Sequence, residues 1–185
     1  IKRAVIAGGG FIGLEVAENL KEKGIRTTVI DMASHIMPGF DPEMAEYVEN
    51  YLADIGIMAM TDTKLEGVEG TDKVEKVKTS RRAIKADALI LSLGIRANTG
   101  FLADTGIELA PNKTILVDEH LRTSDEDIYA AGDCAMVVNR MTGERAWSPM
   151  GSSANIEGRI LAQNLEGADI SYPGVLGTGV VKLPG

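Results

Sequence analysis

Cysteine is almost missing from this chain: one residue in 185, Cys134, leaves no internal disulfide framework and no C-x-x-C redox pair. With neither a second cysteine nor a histidine near it in sequence, Cys134 reads as a small structural residue. Histidine is nearly as scarce, and His35 and His120 show no spacing that suits a metal site or a catalytic triad. Basic charge is in deficit, with 19 Lys and Arg against 27 Asp and Glu and a formal net charge of −8. The one basic cluster, Lys78, Arg81, Arg82 and Lys85, reads as a solvated loop beside a hairpin, which excludes a nucleic-acid partner. No apolar run approaches the roughly 20 residues that cross a bilayer, and the first residues lack the charged and apolar regions of a signal peptide. These absences lead us to expect a soluble, cytoplasmic protein with no membrane partner. A start on a core strand without methionine and an end on Leu183-Pro184-Gly185 read as the ends of an internal piece of a longer chain.

Glycine, by contrast, is present in a telling place. The run IKRAVIAGGGFIG passes from an apolar strand, Ala4 to Ala7, into Gly8, Gly10 and Gly13 at G-x-G-x-x-G spacing. Beyond it, Leu14, Ala17 and Leu20 recur at three-residue intervals along one helical face. In a strand, turn and helix the first glycine permits the tight turn, the second lets a pyrophosphate approach the backbone, and the third lets helix pack on strand. The pyrophosphate would sit on the free N–H groups and positive dipole end of a helix starting near Phe11. A second, β-branched run, Arg26 to Ile30, leads into Asp31, the acidic position expected about 20 residues past the glycines. A carboxylate there accepts the ribose hydroxyls of an adenosine and repels a 2′-phosphate. The stretch DMASHIMPGFD has no Lys or Arg, so the pattern selects NAD(H) over NADP(H), with Arg26 and His35 the residues able to reverse that choice.

The remaining periodicities predict an α/β chain. Asp41 caps and Pro42 opens a second helix with Met44, Val48, Tyr51 and Leu52 on its buried face, ended by Gly56. A short strand, Ile57 to Met60, precedes an antiparallel meander (64–68, 74–79 and 82–85) and a buried strand, Asp87 to Leu93, that ends at Gly94. Met37, Met44, Met58 and Met60 read as core filler. From Asn98 the character changes. ILVDEHLRTSDEDIYAAGDCA reads as a pair of strands, the second from Ile128 to Ala131, closing in the turn Gly132-Asp133. That turn lets a sugar-like chain approach the backbone and donate a hydroxyl to Asp133. Ser152 to Glu166 then predicts a helix capped by Ser152 or Ser153, with Ile156, Ile160, Leu161 and Leu165 inward.

Five stretches, AVIAGGGFIGLEVAENL, TTVIDMASHIMPGFDPEM, ALILSLGIRANT, TSDEDIYAAGDCA and ANIEGRILAQNL, together resemble the pyridine nucleotide-disulfide oxidoreductase family. The resemblance is greatest to its branch of NADH oxidases, NADH peroxidases and coenzyme A-disulfide reductases. One departure is Ala97, where many members carry proline. The resemblance implies a Rossmann-like three-layer NAD(H)-binding domain with an antiparallel meander over 1–98. It further implies the second segment of an FAD-binding domain over 99–172 and the start of a dimerisation domain over 173–185. The family's own FAD fingerprint and redox cysteine lie upstream of the matching stretches, and no catalytic residue falls among these residues.

The resemblance also implies a set of cofactor-binding residues. Asp133, on the Gly132 turn, would hold the flavin ribitol, and Ser153 and Ala154 would offer helix N-terminal N–H groups to the N1/C2 side of its ring. Phe11 would be the gate over the flavin face, Ile12 and Gly94 would line the nicotinamide pocket, and Glu15 would lie near the carboxamide, with a solvated helix residue as the alternative there. The activity implied is FAD-dependent transfer of hydride from NADH to flavin, and then to a disulfide, peroxide, oxygen or carrier protein. The partner would be a small-molecule or thiol electron acceptor, and the full-length protein a homodimer. Alone, this chain is expected to bind NADH weakly, retain no FAD and turn nothing over. The competing reading is a stand-alone NAD(H)-binding sensor module without catalysis, which has no use for the Gly132-Asp133 turn.

Overall fold

The apolar run after Lys2 becomes the central strand of a sheet in the computed structural model, which describes residues 1–180. In a first unit, Ile1–Gly94, the elements in chain order are β1 (Arg3–Ala7), α1 (Phe11–Glu22), β2 (Arg26–Ile30), α2 (Pro42–Asp54) and β3 (Met58–Met60). The meander strands β4 (Leu65–Glu69), β5 (Lys76–Thr79) and β6 (Ala83–Lys85) follow, and then β7 (Ala88–Leu91). The sheet runs β3-β2-β1-β7 with every pairing parallel. Strand order reverses at β1, so the loop leaving its C-terminal end lies at the switch point where such sheets bind ligands.

Alternation along β1 sends its side chains to two faces. Val5 and Ala7 join Ile30, Val77 and Ala86 in a core shared with the meander, while Ile6 faces α1. Helices, parallel sheet and meander thus form the three layers expected. In α1, Leu14 and Ala17 are buried, the leucine stabilising the unit by about 2 kcal/mol.

Details depart from expectation. On α2 the buried face is Ala45, Val48 and Leu52; Met44 is exposed, its place against the sheet taken by the smaller Ala45. Met58 is exposed as well, on edge strand β3, where it and Met60 meet the Arg82 guanidinium through sulfur. Only Met60 packs against the core shared with the meander. β7 is not a buried strand. Among the described residues it is an edge of its sheet, paired only with β1, and Leu91 and Leu93 are exposed.

The second unit begins at Ile95. After a 3-10 turn at Gly100–Leu102 come β8 (Ile115–Leu116), β9 (Ala135–Val138), β10 (Arg145–Ala146) and α3 (Gly151–Leu165). β8 and β9 are parallel, and β10 returns antiparallel to β9. Ile107, Ile115, Val117, Leu121, Val137 and Tyr172 are among the residues of one core, against which Ile160 and Leu161 of α3 pack. Ile128 to Ala131 is not a strand. Among the described residues its only pairing is a bridge from Tyr129 to Arg122, and the ladder stops there because Leu121, at φ +67°, turns the partner segment back onto Asp118. The strand forms after the Gly132-Asp133 turn instead, as β9. Of the stretch 173–185, Val175 packs in this core and residues 181–185 lie outside the described part.

The phase of α3 also differs. Its inner stripe is Ser153, Ala154, Glu157, Ile160, Leu161 and Asn164, and Ile156 and Leu165 are exposed. Half of that stripe is polar, so hydrophobicity points to the wrong rotation. The cap is Met150 rather than a serine; Ser153 Oγ instead meets Ser148 Oγ at 3.0 Å.

Candidate functional site

The glycine loop is built from close contacts. Gly8 has φ +112°, and a Cβ on it would lie 1.9 Å from the Ser92 carbonyl oxygen. Its N–H donates to Ile30 at 2.8 Å, tying the loop to β2. A Cβ on Gly13 would lie 1.9 Å from the Gly8 carbonyl, so α1 reaches β1 only because this residue has no side chain. Gly10 differs from both. Its φ of −79° and ψ of −179° suit any residue, and a Cβ there would meet nothing within 4 Å. Neither backbone strain nor packing among the described residues asks for glycine at position 10.

Gly10 is also the N-cap of α1, and its carbonyl accepts the first intrahelical bond, from Leu14, at 3.0 Å. The N–H groups of Phe11, Ile12 and Gly13 therefore have no intrahelical acceptor. No acidic residue stands in that first turn. Such a terminus fits an anionic group. Phe11, Ile12 and Glu15 are exposed around it, and the Phe11 ring meets Phe40 edge-on at 5.5 Å, a contact no sequence pattern announces. Gly94 has φ +90° with open space at its Cβ position.

Asp31 follows β2 and turns back on the loop. Its Oδ2 accepts the Gly9 N–H at 2.6 Å and its Oδ1 the Ala33 N–H at 2.8 Å. A carboxylate offers about four lone-pair sites, so acceptor capacity remains for hydroxyl donors. Of the two residues able to reverse the coenzyme choice, Arg26 opens β2 while Asp31 follows its end. About 16 Å of strand separates them, beyond a guanidinium's reach. The His35 Nδ1 donates to the Ile36 carbonyl at 2.8 Å.

In the second unit the Gly132-Asp133 turn has a different construction. Gly132 has φ +80°, and its Cβ position lies 3.3 Å from the Ala154 methyl. Its N–H donates to Glu157 Oε2 at 2.6 Å. The Asp133 carbonyl accepts the Trp147 Nε1–H at 2.8 Å, and its carboxylate is exposed. Ala154 N–H is bound within α3 to the Met150 carbonyl, so Ser153 rather than Ala154 carries a free helix N-terminal donor.

Glu157 was not legible as a site residue. It is 2% exposed, and burial raises its carboxyl pKa, opposed by hydrogen bonds from Gly132 and Tyr172 and reinforced by the Asp133 charge. Tyr172 is pushed up to about 12, first by burial and then by the Glu157 charge, so its phenol stays a donor. The available signal was position: Glu157 stands three and four residues before Ile160 and Leu161, on the inward stripe. Cys134 is half-buried, its thiol pKa raised by burial and by the Glu157 and Asp133 charges, so it is no activated nucleophile. No helix among the described residues is long and apolar enough to cross a membrane.

The chain is 37% identical to an NAD(P)H sulfur oxidoreductase (CoA-dependent) of Pyrococcus abyssi and 36% identical to an NADH oxidase of Methanocaldococcus jannaschii. Each alignment covers 98% of this chain and 41% of the relative, so the chain spans about two fifths of their length. A crystal structure of a FAD-dependent pyridine nucleotide-disulphide oxidoreductase from Desulfovibrio vulgaris superposes with a TM-score of 0.90 at 42% identity, over 98% of this chain and 47% of that one. Residues 2–154 match the family described as pyridine nucleotide-disulphide oxidoreductase, and to that family this chain belongs.

Proposed function

We propose that this chain forms the NAD(H)-binding domain and part of the FAD-binding domain of an oxidoreductase that passes hydride from NADH to flavin. The observation that carries the reading is the glycine set, with Gly8 and Gly13 demanded by contacts and Gly10 demanded only by something that approaches the backbone. The division into units between Gly94 and Ile95 supports a first domain over 1–98 and a flavin segment over 99–172. The names of the relatives, an NADH oxidase and a CoA-dependent NAD(P)H sulfur oxidoreductase, support a catalytic protein and lend nothing to a sensor.

In this reading the Phe11, Ile12 and Gly13 N–H groups hold the pyrophosphate, and Asp31 holds the adenosine ribose. Phe11 gates the nicotinamide position, Ile12 and Gly94 line it, and Glu15 orients the carboxamide. Asp133 on the Gly132 turn accepts a ribityl hydroxyl, Ser153 N–H faces the N1/C2 side of the ring, and the Ala154 methyl holds Gly132 in place. When bound, the nicotinamide supplies the hydride and the flavin accepts it. The protein's share is to orient both and exclude water, a gain from proximity rather than from an acid or base. The electrons then pass to a small-molecule or thiol acceptor, from a homodimeric, cytoplasmic enzyme.

An anaerobic titration of the full-length polypeptide tests this. Bound flavin should be bleached stoichiometrically by NADH, and at a higher KM by NADPH. A polypeptide that purifies without flavin, or whose flavin ignores NADH, would sink the reading.

A further inference from the structure

Glu157 has no part in the scheme above, yet it is the buried residue of α3. A buried carboxyl is costly unless its oxygens are hydrogen-bonded. This one accepts a backbone N–H from the turn that carries Asp133. The turn is pressed between Ala154 and Glu157, which lie three residues apart on one face of α3. The Asp133 side chain makes no hydrogen bond to any described residue. Its direction is set by its backbone, which is pinned before it through Gly132 N–H to Glu157 and after it through its own carbonyl to Trp147.

We propose that Glu157 is a positioning residue for the flavin: it clamps the Gly132 peptide to α3 and so aims the Asp133 carboxylate at the ribityl chain. This rests on the flavin-site reading given above. The bond length and burial give the clamp its stiffness. A glycine at φ +80° has many other conformations open to it once its N–H is released. Glutamine preserves the acceptor oxygen, whereas leucine preserves only the volume.

The test is FAD affinity of the full-length apoprotein, read by quenching of flavin fluorescence, beside NADH affinity and the melting temperature. Glu157→Leu should weaken FAD binding by about tenfold or more, the loss expected when a buried N–H loses its acceptor. NADH affinity should stay within about twofold, since the glycine loop belongs to the other unit. Glu157→Gln should return FAD affinity to within about threefold of the wild type, a rescue that a purely volumetric role would not require. Glu157→Met, which has no acceptor oxygen but fills the space flexibly, should weaken FAD binding likewise, and it carries the test should Glu157→Leu fail to fold. Equal FAD affinity in wild type and Glu157→Leu, no rescue by glutamine, or, with Glu157→Leu unfolded, an unchanged Glu157→Met, would each overturn the proposal. Wild-type apoprotein that takes up no FAD would instead overturn the flavin site itself.

Discussion

The two acid-bearing turns hold their carboxylates in opposite ways. Asp31 accepts N–H groups from Ala33 in its own turn and from Gly9 in the glycine loop, so the acid proposed to bind ribose is also a strut between two loops. Asp133 is exposed, and the peptide beside it is held by Glu157, a residue from another element. At the first turn the acid is itself the anchor; at the second the anchor is a different residue. The same substitution, acid to alanine, therefore asks a different question at each place.

The largest effect should come from the contact on which the glycine loop bound by Asp31 depends. Gly13→Ala would place a methyl 1.9 Å from the Gly8 carbonyl, where backbone must move, and should destabilise the first unit by about 3 kcal/mol in urea unfolding. Next, Asp31→Ala leaves the part-buried Gly9 N–H unpaired and should cost about 1–3 kcal/mol as well as NADH affinity. Asp133→Ala should change stability by less than about 0.5 kcal/mol and still abolish FAD uptake. Equal stability losses for Asp31→Ala and Asp133→Ala would break the comparison.

The smallest effect lies outside both turns and serves as a control. Asp87 accepts the Lys2 and Arg3 N–H groups and pairs with the Arg3 guanidinium at 3.0 Å, and these hold its carboxyl at about 2 instead of 3.8. A depressed folded pKa contributes stability that is complete above the unfolded value and lost as pH falls through the folded one. Asp87→Asn should therefore flatten the stability profile between about pH 4 and pH 2 and leave cofactor affinities at neutral pH unchanged. A wild-type profile in that window would show the pair to be idle.

Much of the first unit is legible in the sequence because its signals are steric and local. Gly8, Gly13 and Asp31 stand where the strand-turn-helix logic expects them, and the meander announces itself through short β-type runs broken by Gly67 and Gly70. The second unit is harder to read for a physical reason. Its helix α3 turns a partly polar stripe inward, so Ile156 and Leu165 outvote Ser153, Glu157 and Asn164 in any hydrophobic count. Glu157 makes sense only once Gly132, 25 residues earlier, is folded against it. Likewise β7 reads as a core strand from composition, while its edge position is set by topology that composition does not contain.

The central claim rests on Gly10, and one paired measurement addresses it directly: NADH titration and urea unfolding of the full-length polypeptide carrying Gly10→Val. The backbone angles and the open space at its Cβ predict a change in stability below about 1 kcal/mol. The pyrophosphate reading predicts that NADH affinity falls about 100-fold, close to 2.7 kcal/mol. Unchanged NADH affinity in a folded Gly10→Val protein would contradict the account.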